Sequence, residues 1–242
     1  MSQTNDLRTA LLAAVSHDLR TPLSSIKALA TGLLEPDVRW SEEDTHEFLL
    51  TIDAETDRLN KLVDNLLDMS RLQTRALHLS VRPVGLDEVV PAALASLSHE
   101  SQHVVVEVPE TLPRVVVDPA LLERAVANVI DNAIRHSSRS CPVRVNAGEV
   151  AGGVDLRIVD RGPGIPLGER ARLFQPFQRL GDTDRDSGVG LGLAVSHGFV
   201  EAMGGELTVE DTPGGGITMV IRLPAANCAA ETGLGLETVH RA

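Results

Sequence analysis

The sequence AVSHDLRTPL at residues 14–23 sets one histidine beside one carboxylate within an apolar pattern. Apolar residues recur in steps of three and four from Leu12 to Leu33, which predicts a helix with one buried face. At about 100° per residue, His17 lies roughly opposite the mean direction of its apolar neighbours, so it is predicted to face away from the core next to Asp18. A solvated surface pair is the ordinary interpretation. A nucleophilic imidazole oriented by the carboxylate is the alternative.

The residues around this stretch predict a helical hairpin. A first helix is expected over about 7–34. We expect it to break or kink at Pro22, because proline removes a backbone donor and clashes with the preceding turn. Residues 35–40 form the predicted connection. Ser41, followed three residues later by an acidic side chain, predicts the start of a second helix that ends near Leu72.

The second helix carries an apolar stripe that two helices alone cannot bury well. The stripe repeats at steps of about 3.5 residues, which is typical of a coiled-coil seam. Pairing two hairpins into a four-helix bundle would cover it, so we expect a homodimer through residues 1–77. The alternative is that the hairpin packs onto the C-terminal half of its own chain. The residues of the stripe are Leu49, Ile52, Leu59, Val63 and Leu66.

The composition excludes several classes of partner. A net charge of -12 and an aromatic content of 2%, with no tyrosine, argue against nucleic-acid binding. The two cysteines, Cys141 and Cys228, fit neither a disulfide framework nor a metal site, which indicates a reducing compartment. No apolar run reaches membrane-spanning length, and the first residues do not form a signal peptide. From these residues we therefore expect a soluble chain in a reducing compartment.

The remainder of the chain predicts a second domain. Residues 78–84 are predicted to be a linker. Over residues 85–225, helical segments alternate with short β-branched segments at mostly hairpin spacing, which predicts an α/β sandwich with helices on one face of the sheet. Residues 226–242 have little pattern and are expected to be mostly disordered.

Two asparagines of this half are candidates for holding a cation. Asn128 and Asn132 are four residues apart, so they share one face of a predicted helix. Their amide oxygens are suited to a hard cation such as Mg²⁺ held by phosphates. Without a neighbouring nucleotide motif, surface amides would be the more ordinary interpretation.

A short glycine motif follows the next predicted strand. Asp160, Gly162 and Gly164 come directly after the alternating segment 154–159. Glycines allow a sharp turn and a close backbone approach to a ligand, and a carboxylate at a strand end can accept from an exocyclic amine. Alone, this pattern also fits a plain turn.

A second glycine motif opens a predicted helix. Residues 188–192 have the pattern Gly-x-Gly-Leu-Gly, and backbone N–H groups at such a helix start can bind phosphate. A Rossmann loop is disfavoured because no strand precedes it, and a Walker A loop is excluded because this half has no lysine. Phosphate charge would then be met by Mg²⁺, backbone dipoles and arginines such as Arg135, Arg179 and Arg185.

Between the glycine motifs lie two phenylalanines. The default interpretation of Phe174 and Phe177 is that they anchor the segment in the core. The charged, glycine-flanked stretch 181–188 that follows is predicted to be a mobile lid.

The order of these motifs resembles the sensor histidine kinases of two-component systems. The resemblance covers residues from about 7 to 224 and rests on five ordered motifs: His17-Asp18-x-x-Thr21-Pro22, Asn128/Asn132, Asp160-x-Gly162-x-Gly164, Phe174/Phe177 and Gly188-x-Gly190-Leu191-Gly192. The hairpin sequences 11–23 and 66–72 are also similar to those of the potassium-responsive sensor kinases of the Kdp type.

The resemblance implies roles for the residues of the first motif. His17 would be the phospho-acceptor, and Asp18 would act as its base or orient it. Thr21 would position a water when the enzyme acts as a phosphatase on its partner. Arg179 would approach the transferring phosphoryl group.

The resemblance also implies an ATP site. Asn132 would hold Mg²⁺ with Asn128 nearby, Asp160 would bind the adenine amine, and Thr218 could assist at the pocket. The further residues that would bind the cofactor or shape its pocket and lid are Arg135, Gly162, Gly164, Ile165, Phe174, Gly188, Gly190, Leu191 and Gly192.

The fold implied is α+β: a Bergerat-type (GHKL) ATP-binding sandwich joined to an antiparallel hairpin that dimerises into a four-helix bundle. The activity implied is autophosphorylation of His17 from Mg-ATP, then transfer to an aspartate on a response regulator receiver domain, with potassium or osmotic signalling as the setting. Gyrase- and Hsp90-like ATPases are the rival enzymes, but they carry a glutamate where this chain has Asn128, and an amide cannot take a proton from water. A degenerate ATP-binding scaffold is the rival without activity.

Overall fold

The computed structural model describes residues 2–74, 76–97, 103–138, 141–178 and 190–226, except for the side chains of residues 2–14 and of His17. The N-terminal part is the hairpin of helices α1 (Ser2–Leu33) and α2 (Glu42–Gln73), which pack along each other. The Ser41 hydroxyl accepts the Asp44 N–H at 3.0 Å and so caps α2 as predicted.

Helix α1 continues through Pro22, so a break at this residue, one of its two predicted effects, is wrong. One proline removes one backbone hydrogen bond, at a cost of about 3 kcal/mol, and leaves the bonds of the other turns in place. Pro22 is buried, and the packing of its ring offsets part of that cost.

The hairpin leaves apolar surface uncovered in the single chain. Ile52, Leu59 and Leu66 of the predicted stripe are half-buried. Among the described side chains of the two helices, the exposed large apolar ones are Leu23, Leu49, Leu50, Val63 and Leu67. An apolar surface of this kind is expected of half of a helical bundle.

An aromatic pair closes the connection between the two helices. The Trp40 ring meets the Phe48 ring edge to face, with centroids 4.8 Å apart. The Trp40 indole N–H donates to the carbonyl of Gly32 at 2.9 Å. The tryptophan thereby ties the end of α1 to the start of α2.

The second part, here the α/β half (residues 82–226), begins earlier than the sequence predicts. Strand β1 (Arg82–Val84) pairs antiparallel with β3 (Val115–Val117), so the last three residues of the predicted linker are a strand. Helix α3 (Leu86–Ala95) follows β1. Val84 and Val117 are both buried in the core, which supplies the stabilisation that a three-residue strand lacks by itself.

The main sheet of the α/β half has five strands in the order β2-β4-β5-β7-β6. Strand β2 is parallel to β4, and the other neighbours are antiparallel. The strands are β2 (Val104–Glu107), β4 (Val143–Val150), β5 (Gly153–Val159), β6 (Glu206–Asp211) and β7 (Ile217–Pro224).

Helices cover one face of this sheet, as predicted. Helix α4 (Pro119–His136) packs against β4 and β5, and α5 (Gly192–Ala202) packs against β6 and α4. Asp118 caps α4 by accepting the N–H of Ala120 at 3.1 Å. The fully buried side chains between the layers include Ile130, Leu156, Ile158, Phe199 and Ile221. The predicted fold class, helical hairpin followed by an α/β sandwich, is confirmed.

The two parts meet at the end of α2. Met69 and Leu72 pack against the core of the α/β half, and α2 contacts α5. None of the helices in the described ranges has the length and apolarity that a membrane span requires. The disorder predicted for residues 226–242 concerns residues that, apart from Ala226, lie outside the described part of the chain.

Candidate functional site

The predicted acceptor residues lie in the middle of α1. The backbone of His17 is helical, and its side chain lies outside the described part of the structure. Asp18 is half-buried and Thr21 is exposed. Thr21 is four residues after His17, so the two positions share one face of α1.

Asn128 faces the start of α5, and Asn132 lies one turn further along α4. Asn128 and Asn132 are half-buried on α4, one turn apart. A Cβ added to Gly192 would lie 3.8 Å from Cγ of Asn128, so the first residue of α5 contacts this amide. Arg135, one turn further along α4, pairs with Asp131 at 2.9 Å. The structure thus brings the asparagine motif to the second glycine motif, 64 residues away in the chain.

Asp160 is buried and held by backbone groups. Its side chain is only 3% exposed, and Oδ1 accepts the N–H of Gly162 at 2.8 Å and of Ile217 at 3.1 Å. The contact with Ile217 joins the glycine loop to the start of β7. Sequence analysis missed Ile217, although the three glycines before it indicate a tight turn into the strand.

Gly162 is required where the glycine loop passes the end of α4. A Cβ at this position would lie 2.6 Å from the carbonyl oxygen of His136, so a larger residue cannot fit without a shift. The Arg161 N–H donates to the Ser137 hydroxyl at 3.1 Å. The loop therefore lies against the same helix that carries Asn128 and Asn132.

Thr218 lies beside Asp160 on the neighbouring strand. It pairs in register with Val159, the residue before Asp160, and is buried. Its hydroxyl lies 2.9 Å from the hydroxyl of Thr212, with which it shares a hydrogen bond. Sequence analysis did not predict this partner, because Thr212 lies before the turn that leads into β7.

An open cleft of about 450 Å³ adjoins the glycine loop. Gly164 and Ile165 line one side, and Thr212 and Gly216 line the other. Two predicted cofactor residues thus have surface accessible to a ligand. Leu191, by contrast, is 1% exposed and packs in the interior. Its role in the structure is to support the start of α5.

The phenylalanine segment is anchored in two ways. Phe174 packs against the core, as predicted, and stacks on the His197 ring of α5 with centroids 4.8 Å apart. The Phe177 N–H donates to the carbonyl of Gly190 at 3.0 Å. The segment before the predicted lid and the segment after it are therefore fastened together. Arg179, Arg185, Gly188 and the predicted lid itself lie outside the described residues.

The amide oxygens on α4 are suited to bind a cation only when phosphate oxygens supply further ligands. Within the described ranges, no group of three or more histidine, cysteine, aspartate or glutamate side chains is placed to hold a metal. Two half-buried amides supply neutral oxygens, which are ligands that Mg²⁺ accepts when phosphate oxygens complete its shell. A Mg-nucleotide therefore fits this arrangement better than an isolated metal ion.

Two family models match the chain in succession. Residues 7–75 match the His Kinase A (phospho-acceptor) domain. Residues 117–227 match the histidine kinase-, DNA gyrase B-, and HSP90-like ATPase family. The first match contains His17 and the second contains the buried Asp160 and the asparagine face of α4. The chain belongs to the sensor histidine kinases.

Within that family, the chain is similar to sensor proteins named KdpD. It is 46% identical to Sensor protein KdpD of Mycobacterium tuberculosis over 233 residues, which are 93% of this chain and 27% of that protein. The chain thus spans about a quarter of the length of this relative.

Two solved structures are similar in both sequence and fold. The mycobacterial sensor histidine kinase MprB is 34% identical, with a TM-score of 0.53 over 60% of this chain and 98% of that one. Full-length ShkA, crystallised in complex with AMPPNP, is 27% identical, with a TM-score of 0.63 over 90% of this chain and 46% of that one.

Proposed function

We propose that this chain is the catalytic core of a sensor histidine kinase that transfers the γ-phosphoryl group of Mg-ATP to His17. The observation that carries the proposal is the buried Asp160 carboxylate, held by two backbone N–H groups beside the helix that carries Asn128 and Asn132. The ATP-binding family match and the complex of the related ShkA with an ATP analogue support it.

Adenine would be bound at the glycine loop. Asp160 would accept from the exocyclic amine, and Thr218, Gly162 and Gly164 would border the ring. Ile165 and Phe174 would add apolar contact, because both pack at the edge of the core. A buried carboxylate that accepts from a ligand amine discriminates strongly, because the wrong ligand leaves it unpaired.

The phosphates would lie between α4 and the start of α5. The N–H groups of Gly190, which precedes the helix cap, and of Gly192, the first residue of α5, would provide an anion site. Asn132 would hold Mg²⁺ together with the phosphates, with Asn128 and Arg135 nearby. Bound Mg²⁺ would neutralise phosphate charge, which matters in a half without lysine. Arg179 and Gly188 are retained as predicted contacts to the phosphates.

The transfer needs little side-chain chemistry. A nitrogen of His17 would form the new N–P bond as the bond from the γ-phosphorus to the bridging oxygen breaks and ADP leaves. Asp18 would orient the imidazole and stabilise its charge. Because Asn128 is an amide, the site has no base at that position to activate water, which favours transfer over hydrolysis by a gyrase-like route.

The partners follow from the hairpin. Exposed Leu49, Val63 and Leu67 support a homodimer that completes a four-helix bundle. A response regulator receiver domain would take the phosphoryl group on an aspartate, and Thr21 would position water for the reverse phosphatase reaction. The similarity to KdpD proteins suggests potassium or osmotic signalling, with this chain as the cytoplasmic part of a membrane-anchored kinase.

The proposed domains are the acceptor hairpin at 1–77 and the ATP-binding domain that ends near 225. The connection was predicted at 78–84; because β1 pairs with β3, we propose that it ends at residue 81 and that the second domain begins at Arg82. Residues 226–242 are proposed to be a tail outside both domains.

The decisive experiment is incubation of the chain with γ-labelled ATP and Mg²⁺, compared with His17→Gln. We expect an acid-labile, alkali-stable label that is absent from the variant. ATP hydrolysis that is undiminished in His17→Gln would favour the gyrase-like alternative. Nucleotide binding without label or hydrolysis would favour a scaffold.

A further inference from the structure

The turn at residues 175–178 holds one residue in an unfavourable backbone conformation. Phe177 has a φ of 63°, and every other positive φ among the residues that the structure describes belongs to a glycine. The Gln178 N–H donates to the carbonyl of Gln175 at 3.4 Å, which closes a four-residue turn with Pro176 and Phe177 at its centre. Proline suits the second position of a turn with a positive φ at its third, and that third position favours glycine or asparagine. A phenylalanine there is strained.

The ring of Phe177 does not account for this strain. Of the two rings predicted to anchor the segment, the contacts described with the core include that of Phe174 and not that of Phe177. The Phe177 side chain is half-buried. The contacts that hold the turn in place are therefore to be sought in its backbone.

The backbone of the turn contacts the residue that leads into α5. The Phe177 N–H donates to the carbonyl of Gly190 at 3.0 Å. A Cβ added to Gly190 would lie 2.6 Å from the carbonyl oxygen of Gln178, so a larger residue would push the two backbones apart. We call this hydrogen bond and this close approach the 177–190 contact.

The 177–190 contact orients the peptide group at the start of α5. The carbonyl of Gly190 and the N–H of Leu191 belong to one planar trans peptide and point in opposite directions, so holding the carbonyl also sets the direction of the N–H. Leu191 is the N-cap residue of α5, and the next residue, Gly192, lies against Asn128. The contact therefore acts on the backbone beside which the nucleotide phosphates are proposed to lie.

The described contacts that hold the strained turn closed are weak ones. The Gln178 side chain accepts a hydrogen bond from the Arg172 guanidinium at 2.6 Å, but this pair is exposed to water. The cost of a left-handed conformation at a bulky residue and the gain from one backbone hydrogen bond are of comparable size. The formed and the released arrangements of the 177–190 contact are therefore close in free energy.

We propose that Phe177 is a positioning residue for the nucleotide phosphates, and that the 177–190 contact forms fully only when nucleotide binds. The inference rests on the function proposed above, because it concerns the phosphates of the bound nucleotide. In the free protein, the strain at Phe177 keeps part of the molecules in the released arrangement. The apparent affinity for nucleotide is then reduced by the fraction in which the contact is formed. The same strain speeds the release of ADP after the transfer.

Relief of the strain separates this role from a purely structural one. If the contact were always formed, free and bound protein would gain equally from relief. The free energy of unfolding of the α/β half would then rise, and the affinity for ADP would stay the same. If the contact forms with the nucleotide, the gain appears in the affinity for ADP instead.

The test uses this chain with three variants at one position. Phe177→Gly and Phe177→Asn remove most of the cost of a positive φ, whereas Phe177→Ala removes the ring and keeps that cost. Gln175→Gly is the matched control, because it adds a glycine to the same turn at a residue whose φ is not positive. Each protein is measured for ADP affinity in the presence of Mg²⁺, for the rate of ADP dissociation and for thermal unfolding.

We expect Phe177→Gly and Phe177→Asn to bind ADP about five-fold more tightly than Phe177→Ala, with slower dissociation. This is the gain expected when the fraction with a formed contact rises from about one fifth toward unity. The three variants should unfold at the same temperature. Gln175→Gly should gain no affinity over the wild type.

Two results would overturn the proposal. Equal ADP affinity in the three variants at position 177 would show that binding does not bear the strain, and a higher unfolding temperature of the glycine and asparagine variants would then identify the contact as a permanent part of the fold. An equal gain in Gln175→Gly would show that flexibility of the turn limits binding. If no form binds ADP, the proposed nucleotide site fails and the positioning role with it, while the unfolding temperatures still report the strain at Phe177.

Discussion

The two halves of this chain differ in how far their large apolar side chains are exposed. In the α/β half, Ile130, Leu156 and Phe199 are 0% exposed. In the hairpin, Leu49 is 53% exposed and Leu67 is 52% exposed. A sheet covered by helices closes its own core, whereas two helices present two stripes and can cover only part of each. The α/β half closes its core within a single chain, whereas the hairpin leaves apolar side chains for a second chain to cover.

This difference predicts how each half responds to change. A substitution in the core or site of the α/β half should lower the free energy of unfolding of that half or its affinity for ligand, and the effect should not depend on protein concentration. Damage to the hairpin should appear first as weaker association, which depends on concentration. The predictions below test that division, beginning with the largest expected effect.

Ile130→Ala should destabilise the α/β half by about 3 kcal/mol, because it leaves a cavity in a fully closed core. Calorimetry at two protein concentrations should show the same decrease. Ile130→Val at the same position is the matched control and should cost about 1 kcal/mol. A loss that varies with protein concentration would contradict the independence of this core.

Asp160→Asn should weaken ADP binding by about 100-fold, because its amide nitrogen would donate toward the adenine amine instead of accepting from it. The amide oxygen can still accept from Gly162 and Ile217, so the fold should persist. Titration calorimetry measures the affinity, and circular dichroism measures the fold.

Asp155→Asn is the matched control for this site. Asp155 lies on β5, the strand that ends just before Asp160, and is 6% exposed, but it binds the Arg222 guanidinium at 2.8 and 3.0 Å. The hydrogen bond and charge of Asp155 raise the pKa of Arg222, which marks a structural pair. Equal loss of ADP affinity in both variants would contradict a specific role for Asp160.

Leu49→Glu should weaken association of the hairpin by about ten-fold or more, because it places a charge in the predicted seam. Sedimentation over a range of concentrations measures the dimer constant. Leu167→Glu changes a leucine that is 78% exposed in the α/β half, and should leave association unchanged. A monomeric wild type would contradict the bundle.

Ser41→Ala should cost the hairpin about 1 kcal/mol, because the Asp44 N–H loses its acceptor at the start of α2. Thermal melting of the hairpin, followed by far-ultraviolet circular dichroism, measures the effect. Ser41→Asp keeps an acceptor at the cap and should restore most of the stability. A loss of ADP affinity in Ser41→Ala would show that the two halves are not separable.

Local patterns were sufficient to predict most elements of the fold. The α4 start, for example, has Asp118 as its cap and Pro119 in the first turn, and both features lie within the helix itself. Strand β1 was missed because three residues with a central proline carry little alternation. Its partner β3 begins 31 residues after β1 ends, and that pairing is a tertiary contact.

The residues of the candidate site could be predicted where they belong to short sequence motifs. Spacing alone placed Asn128 and Asn132 on one face and glycines around Asp160. One of the two contacts that hold Asp160 comes from Ile217, 57 residues away, and the partner of Thr218 comes across a turn. Such contacts depend on how β5 and β7 pair, which no local pattern specifies. The roles of His17, Arg179 and Gly188 stay predictions.

The aromatic pair that closes the hairpin has a consequence for optical measurement. The chain has one tryptophan and no tyrosine. Trp40, clasped between the Gly32 carbonyl and Phe48, is therefore the dominant source of near-ultraviolet absorption and emission. The intrinsic fluorescence of the protein therefore reports the environment of Trp40 at the tip of the hairpin. A melting curve recorded by emission will follow the unfolding of the hairpin and will not report directly on the α/β half.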